Sequence, residues 1–181
     1  MDFRTILNPA WILMLACVAS SAHGIDGKAV GGSAYSDTPG GGPLGGVQVS
    51  VAQDPKVVDQ TRQEDGVFTL KVPSTVKQFD LLYQKVGYLD SHDFNITNSK
   101  DQQKRPVARM TPNNSIEGLP PEKLQILVDT SITAMRRGRT AGIPPLQRSG
   151  KSNLETLQEN IRPSTPALRE LMAKIKQALI E

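Results

Sequence analysis

The chain has 181 residues, 38% of them hydrophobic and only 4% aromatic, with a formal net charge of +3. This supports one modest core built from Val, Leu, Ile and Ala, and it excludes a disordered chain. Neither a one-sided basic face nor interleaved stacking aromatics is evident, so nothing points to nucleic acid as a partner.

The chain opens with a leader. Arg4 precedes the apolar run 10–19, and the small residues Ser20, Ser21, Ala22 and Gly24 follow it. Charge, apolar stretch and small-residue cleavage site, in that order, define a secretory signal peptide over 1–24. The run is too short to span a bilayer, which takes roughly 20 apolar residues. Cleavage after Ala22 or Gly24 would release a soluble protein without cysteine. Alternatively, Leu13-Met14-Leu15-Ala16-Cys17 resembles a lipobox, which would make Cys17 a lipidated N-terminus and tether the chain to a membrane. In either case the folded part has no disulfide, although an exported protein could form one.

Residues 25–110 carry a β pattern. Val47-Gln48-Val49-Ser50-Val51 alternates strictly, and so does Val67-Phe68-Thr69-Leu70-Lys71-Val72, with Phe68, Leu70 and Val72 facing inward. Between them a strand opens at Val57 and runs to Glu64, and Asp65-Gly66 predicts a hairpin into the next strand. Phe79, Leu81 and Tyr83 share one side of a further strand, and 94–97 and 107–110 supply two more. Many short strands divided by turns predict a sandwich.

Three features in order resemble carboxypeptidase-regulatory-like domains. The first is Gly27-Lys28-Ala29-Val30 followed by Pro43-Leu44-Gly45-Gly46-Val47. The second is Thr61 with Asp65-Gly66-Val67-Phe68, and the third is Gly87-Tyr88. The resemblance implies a prealbumin-like or Ig-like sandwich of about seven strands, serving as an accessory module without catalysis of its own. The expected fold is therefore mainly β with a C-terminal α-helical tail.

Residues 111–118 are expected as a linker and 119–181 as a tail of two to three amphipathic helices. Leu124, Leu127, Val128, Ile132 and Met135 fall on one helical stripe, and Gly138 is placed to end that helix. A loop is expected over 139–150, then a short helix capped by Ser152, and a last helix from Thr165-Pro166. The tail holds ten basic residues against six acidic ones. Interspersed glutamates favour helices packed on each other or on the sandwich over a lipid-binding face.

Catalytic and metal-binding chemistry is thinly represented. Gly150-Lys151-Ser152 looks like the end of a phosphate-binding loop, but Pro145 stands where the first glycine belongs and no apolar strand leads in. Only His23 and His92 are present, and no Gly-x-Ser-x-Gly elbow exists. The cluster Asp90-Ser91-His92-Asp93 lacks calcium-loop spacing and suits a turn. Asn95 and Asn113 begin glycosylation-type triplets, which matter only in a eukaryotic secretory pathway. No catalytic residue, cofactor or metal site is assigned. The expected function is an exported, non-catalytic binding or structural accessory protein of the cell envelope, with an envelope protein or glycan as partner. Membrane contact would need Cys17 lipidation or a lipid-binding tail. The alternatives are a carrier of small hydrophobic ligands and a hydrolase working through scattered carboxylates.

Overall fold

The computed structural model describes residues 27–98 and 105–181. The expected leader, its cleavage positions at Ala22 or Gly24 and the Cys17 alternative all lie outside the described residues. Seven strands form two sheets: β1 (Gly27–Ser36), β2 (Gln48–Val51), β3 (Asp54–Gln60), β4 (Val67–Pro73), β5 (Gln78–Gln84), β6 (Ser91–Thr97) and β7 (Val107–Met110). One sheet has the order β4-β1-β7 and the other β3-β2-β5-β6. The seven-stranded, mainly β sandwich with a helical tail is the fold this chain adopts.

Alternation places the core. Val30 and Ala34 of β1, Val49 and Val51 of β2, and Phe68, Leu70 and Val72 of β4 all turn inward. They meet Phe79, Leu81 and Tyr83 of β5 and Met110 of β7. Phe68 and Tyr83 meet edge-on with centroids 5.8 Å apart, the arrangement that ring quadrupoles favour.

The turn at Asp65-Gly66 is present, but it is not a hairpin. Gly66 has φ +65°, and Asp65 accepts from the Val67 amide at 3.0 Å. However, β3 pairs with β2 and β4 pairs with β1. The turn therefore carries the chain from one sheet to the other. The Thr69 amide of β4 donates to Asp59 Oδ2 of β3 at 2.6 Å, so a side chain bridges the two edges where a ladder was expected.

Strand β5 is buried on both faces. Asp80 and Leu82, which point away from the sandwich core, are 0% and 2% exposed. Helices α1 (Pro121–Thr140) and α2 (Pro144–Asn160) reach that face through Arg137, Ser149 and Asn153, and α3 (Pro166–Ile180) packs on the two of them. Leu124, Val128, Leu154, Leu157, Leu171 and Ile175 form their shared core. The stretch expected as a linker holds a 3-10 helix, Asn113–Gly118, whose Ile116 is buried in that core.

Two helix boundaries differ from expectation. Gly138 lies inside α1, which continues to Thr140 and is followed by Gly142 at φ +64°. Of the segment expected as a loop, 139–150, only 141–143 lies between helices; the rest ends α1 and opens α2, and Ser152 sits mid-helix instead of capping it. Pro144 and Pro145 open α2 and do not break it, because the first-turn amides they lack have no intrahelical acceptor anyway. Thr165 caps α3 through the Leu168 amide at 3.3 Å.

The glycines at 138 and 150 set the distance between α1 and α2. A Cβ on Gly138 would stand 2.3 Å from the Gln147 amide nitrogen, and one on Gly150 would stand 2.5 Å from the Ser131 carbonyl oxygen. The two backbones approach where neither helix carries a side chain.

Candidate functional site: a buried polar junction and an open sheet face

The polar residues flagged between strands converge on the helices. His92 Nε2 lies 2.8 Å from Ser149 Oγ, and that hydroxyl donates to Asp90 Oδ2 at 2.7 Å. Gln84 Nε2 also donates to Asp90 Oδ2, at 3.0 Å. Asn153 receives the Asp90 amide on its Oδ1 and donates from Nδ2 to the Asp90 carbonyl, both at 2.9 Å. The His92 ring stacks on Phe94 at 5.8 Å with planes 5° apart, and the Arg137 guanidinium lies over the other ring at 5.6 Å. Of this cluster, Ser149 and Asn153 come from α2 and Arg137 from α1. It ties the tail to the outward side of β5 and β6.

The order of the hydrogen bonds decides what this cluster can do. A hydroxyl has one proton, and that of Ser149 goes to the Asp90 carboxylate. The His92 ring must then donate from Nε2 to Ser149 Oγ, which leaves Nδ1 as an acceptor. Nδ1 is buried without a partner among the described residues. In a nucleophilic serine the imidazole takes the hydroxyl proton; here the ring gives one, so the imidazole is not a base for Ser149, and the hydroxyl proton is held by the Asp90 carboxylate. Burial pulls the His92 ring down to about 4, against the pull of Asp80, which favours the charged form. Burial also pushes the Asp90 carboxyl up, opposed by the bonds from Ser149 and Gln84. Tyr83 donates to Asp93 Oδ2 at 2.8 Å, and burial first, then the Asp93 charge, raises its phenol.

A second junction lies beside the first. Arg137 grips Asp80 through two bonds, Nε to Oδ2 at 2.7 Å and a terminal nitrogen to Oδ1 at 2.8 Å. Gln53 Nε2 and the Asn95 amide complete the carboxylate's shell at 3.1 and 2.9 Å. Asn95 sits at φ +59° and accepts from Arg137 at 2.9 Å, so its side chain is committed to the junction.

The remaining flagged residues have ordinary roles. Gly150 is a helix-contact glycine and Lys151 pairs with Glu155 one turn on, at 3.8 Å. Basic tail residues are tied down elsewhere as well, by Lys123–Asp37 at 2.8 Å and Arg136–Glu181 at 2.6 Å. Among the described residues no group of three or more His, Cys, Asp or Glu could hold a metal ion. No helix there is long and apolar enough to cross a membrane.

An open groove of about 780 Å³ runs along the outward side of β1 and β4. Its floor is β1, where the outward positions Ala29, Gly31 and Ser33 carry almost no side chain. Val67 and Thr69 of β4 form one wall, and Lys28, Tyr35 and Arg105 stand at its margins. The lining holds no carboxylate. Sequence reasoning missed Asp80, Arg137, Ser149 and the groove. Only Asp80 left a local signal, an acid set within an apolar strand.

No family model matches the chain, and no curated protein matches it. Among solved structures it is similar to a chain of a type II cohesin–X-dockerin complex, an N-terminal interface mutant, from Acetivibrio cellulolyticus. The TM-score is 0.39 and the identity 17%, over 48% of this chain and 58% of the other. The chain thus spans less than two thirds of that neighbour, and a superposition this loose transfers nothing from one protein to the other.

Proposed function

We propose that the protein is an exported, non-catalytic binding or structural module of the cell envelope, in which the sandwich is a rigid platform and the open sheet face makes contact. The observation that carries this reading is the direction of the hydrogen bonds through Ser149. The serine, histidine and aspartate that meet among the described residues are wired to hold the tail, and their order withholds the imidazole from the hydroxyl as a base. The leader at 1–24 supports export. The resemblance of 25–110 to carboxypeptidase-regulatory-like domains supports an accessory role. The groove is open, polar-rimmed and outside the sandwich, which suits a surface ligand better than a small hydrophobic cargo.

Two measurements test the reading. Intact mass of the native product should begin near His23 or Ile25, or at Cys17 plus acyl chains; a soluble, uncleaved cytoplasmic chain overturns export. A photo-crosslinking residue at Thr69 should give a discrete adduct in cells, while one at Glu155 gives none. Adducts at Glu155 alone would move the contact surface to the helices. Any esterase or glycosidase activity lost in Ser149→Ala would end the non-catalytic reading.

A further inference from the structure

Strand pairing defines the chemistry of the open face. Ala29 lies opposite Lys71, Gly31 opposite Thr69, and Ser33 opposite Val67. On the other side Ser33 lies opposite Val107 and Tyr35 opposite Arg109. These positions share the outward side of the sheet, since their neighbours Val30, Leu70, Phe68 and Met110 fill the core. From Ala29 to Tyr35 the strand rises about 20 Å at roughly 3.3 Å per residue. The result is a lane one strand wide, with a phenol ring at one end and Lys71, opposite Ala29, at the other.

Cations predominate along the lane, with Asp59 of β3 standing at its β4 edge, where it accepts from the Thr69 amide. Arg105 lines it, Lys71 and Arg109 project from the same face, Lys28 reaches its rim with its ammonium donating to the Asn98 carbonyl at 3.2 Å, and the outward positions of β1, β4 and β7 include no Asp or Glu. Lys71, Arg105 and Arg109 form no ion pair with a described residue, in contrast to Arg136, Arg137 and Lys174 of the tail. The hydroxyls of Ser33, Tyr35 and Thr69 make no hydrogen bond to a described residue either.

We propose that this lane binds an acidic glycan, a short linear chain of uronic-acid-type sugars. The inference rests on the binding-module reading above and specifies its ligand. Carboxylates on successive sugars match cations spaced along the lane, and sugar hydroxyls match the Ser33, Tyr35 and Thr69 hydroxyls. A sugar ring presents a flat face to the Tyr35 ring. An acidic peptide fits less well. The lane is the face of a sheet, so it offers no ladder of backbone donors and acceptors, and its floor has no pockets for alternate side chains.

Calorimetry on the full mature chain with tetragalacturonate tests this, alongside its carboxyl-reduced tetrasaccharide and poly-L-glutamate of matched charge. The uronate should bind, more weakly as salt rises, and neither comparator should match it. Arg105→Glu and Lys71→Glu should each weaken binding by about tenfold or more, the equivalent of roughly 1.4 kcal/mol, while Lys151→Glu on the tail leaves it unchanged. Gly31→Leu blocks the lane without altering charge. A Cβ there meets only the Phe68 carbonyl, at 3.8 Å, so the variant should fold and fail to bind. Equal binding of polyglutamate, wild-type affinity in Gly31→Leu, or no uronate binding overturns the glycan inference. In the last case a Thr69 adduct that survives glycosidase treatment keeps the module reading, and its absence removes both.

Discussion

Replacing Arg137 by Gln tests how the tail is held. Asp80 is wholly buried, and among the described residues the guanidinium supplies two of the carboxylate's four hydrogen bonds and the one ion pair it makes. Without that charge the carboxylate stays desolvated and unpaired, which costs about 3–5 kcal/mol. At roughly 2–4 °C per kcal/mol for a chain of this size, the melting temperature should fall by roughly 6–20 °C. The reverse change, Asp80→Asn, should cost less. Arg137 is one-third exposed, so water can solvate part of the charge left behind. The double variant Asp80→Asn/Arg137→Gln buries only neutral amides, and it should be less destabilised than the two single effects added together. Melting followed by circular dichroism on all four proteins yields the coupling, expected at about 1–3 kcal/mol. Additive single effects, or an Arg137→Gln protein that melts with the wild type, would refute the claim that this ion pair anchors the helices.

Further expectations concern glycines and protons. Gly150→Ala normally favours a helix, yet here it should lower stability by about 1–3 kcal/mol, because the methyl meets the α1 backbone; a raised melting temperature would mean the helices are not in such contact. Gly66→Val combines a strained positive φ with a Cβ 2.5 Å from the Ala34 carbonyl oxygen. It should cost about 1–3 kcal/mol, and an unchanged urea midpoint would refute the turn. His92 titrates at about 4 when folded, against 6.5 when free, so the unfolded chain binds the extra proton between these values. Its contribution is fully present above pH 6.5 and is lost as the pH falls towards 4, by about 3 kcal/mol in all. Asp90, shifted upward, has the opposite sign and offsets part of the loss at the acid end. Urea midpoints against pH should show a slope in the wild type that His92→Gln lacks; identical slopes would sink the argument.

Period-two alternation made β2 and β4 legible, because each presents one face to the sandwich core. Strand β5 was legible only by half. Phe79, Leu81 and Tyr83 marked the inner face, while Asp80 and Leu82 gave no hint of a covering layer beyond the adjacent Leu81-Leu82, which breaks the alternation. A strand buried on both faces has no polar side to betray it. Proline misled at α2, since Pro144-Pro145 ends one helix as readily as it starts another, and the choice turned on Leu146 finding a buried place. The Gly150 role was hidden for a related reason: its purpose is to admit another backbone, and that partner lies elsewhere in the sequence. Likewise Ser149 became informative only when folding brought it to His92, 57 positions away.

The parallel pairing of β1 with β7 has a consequence for how the chain comes to be folded. Ser33 aligns with Val107 and Ser36 with Met110, so the central strand of its sheet waits for a partner more than seventy residues later. Such a distant closure is slow, because chain entropy must be lost before the contact returns anything. The pair α1 and α2, joined by a short turn, can form quickly from neighbouring residues. A polypeptide emerging from its N-terminus therefore exposes one edge of β1 until β7 arrives, and during that interval any strand-like partner can capture it. The vulnerable species of this protein is the nascent chain cut short before residue 107, with its first strand made and half of its pairing still missing.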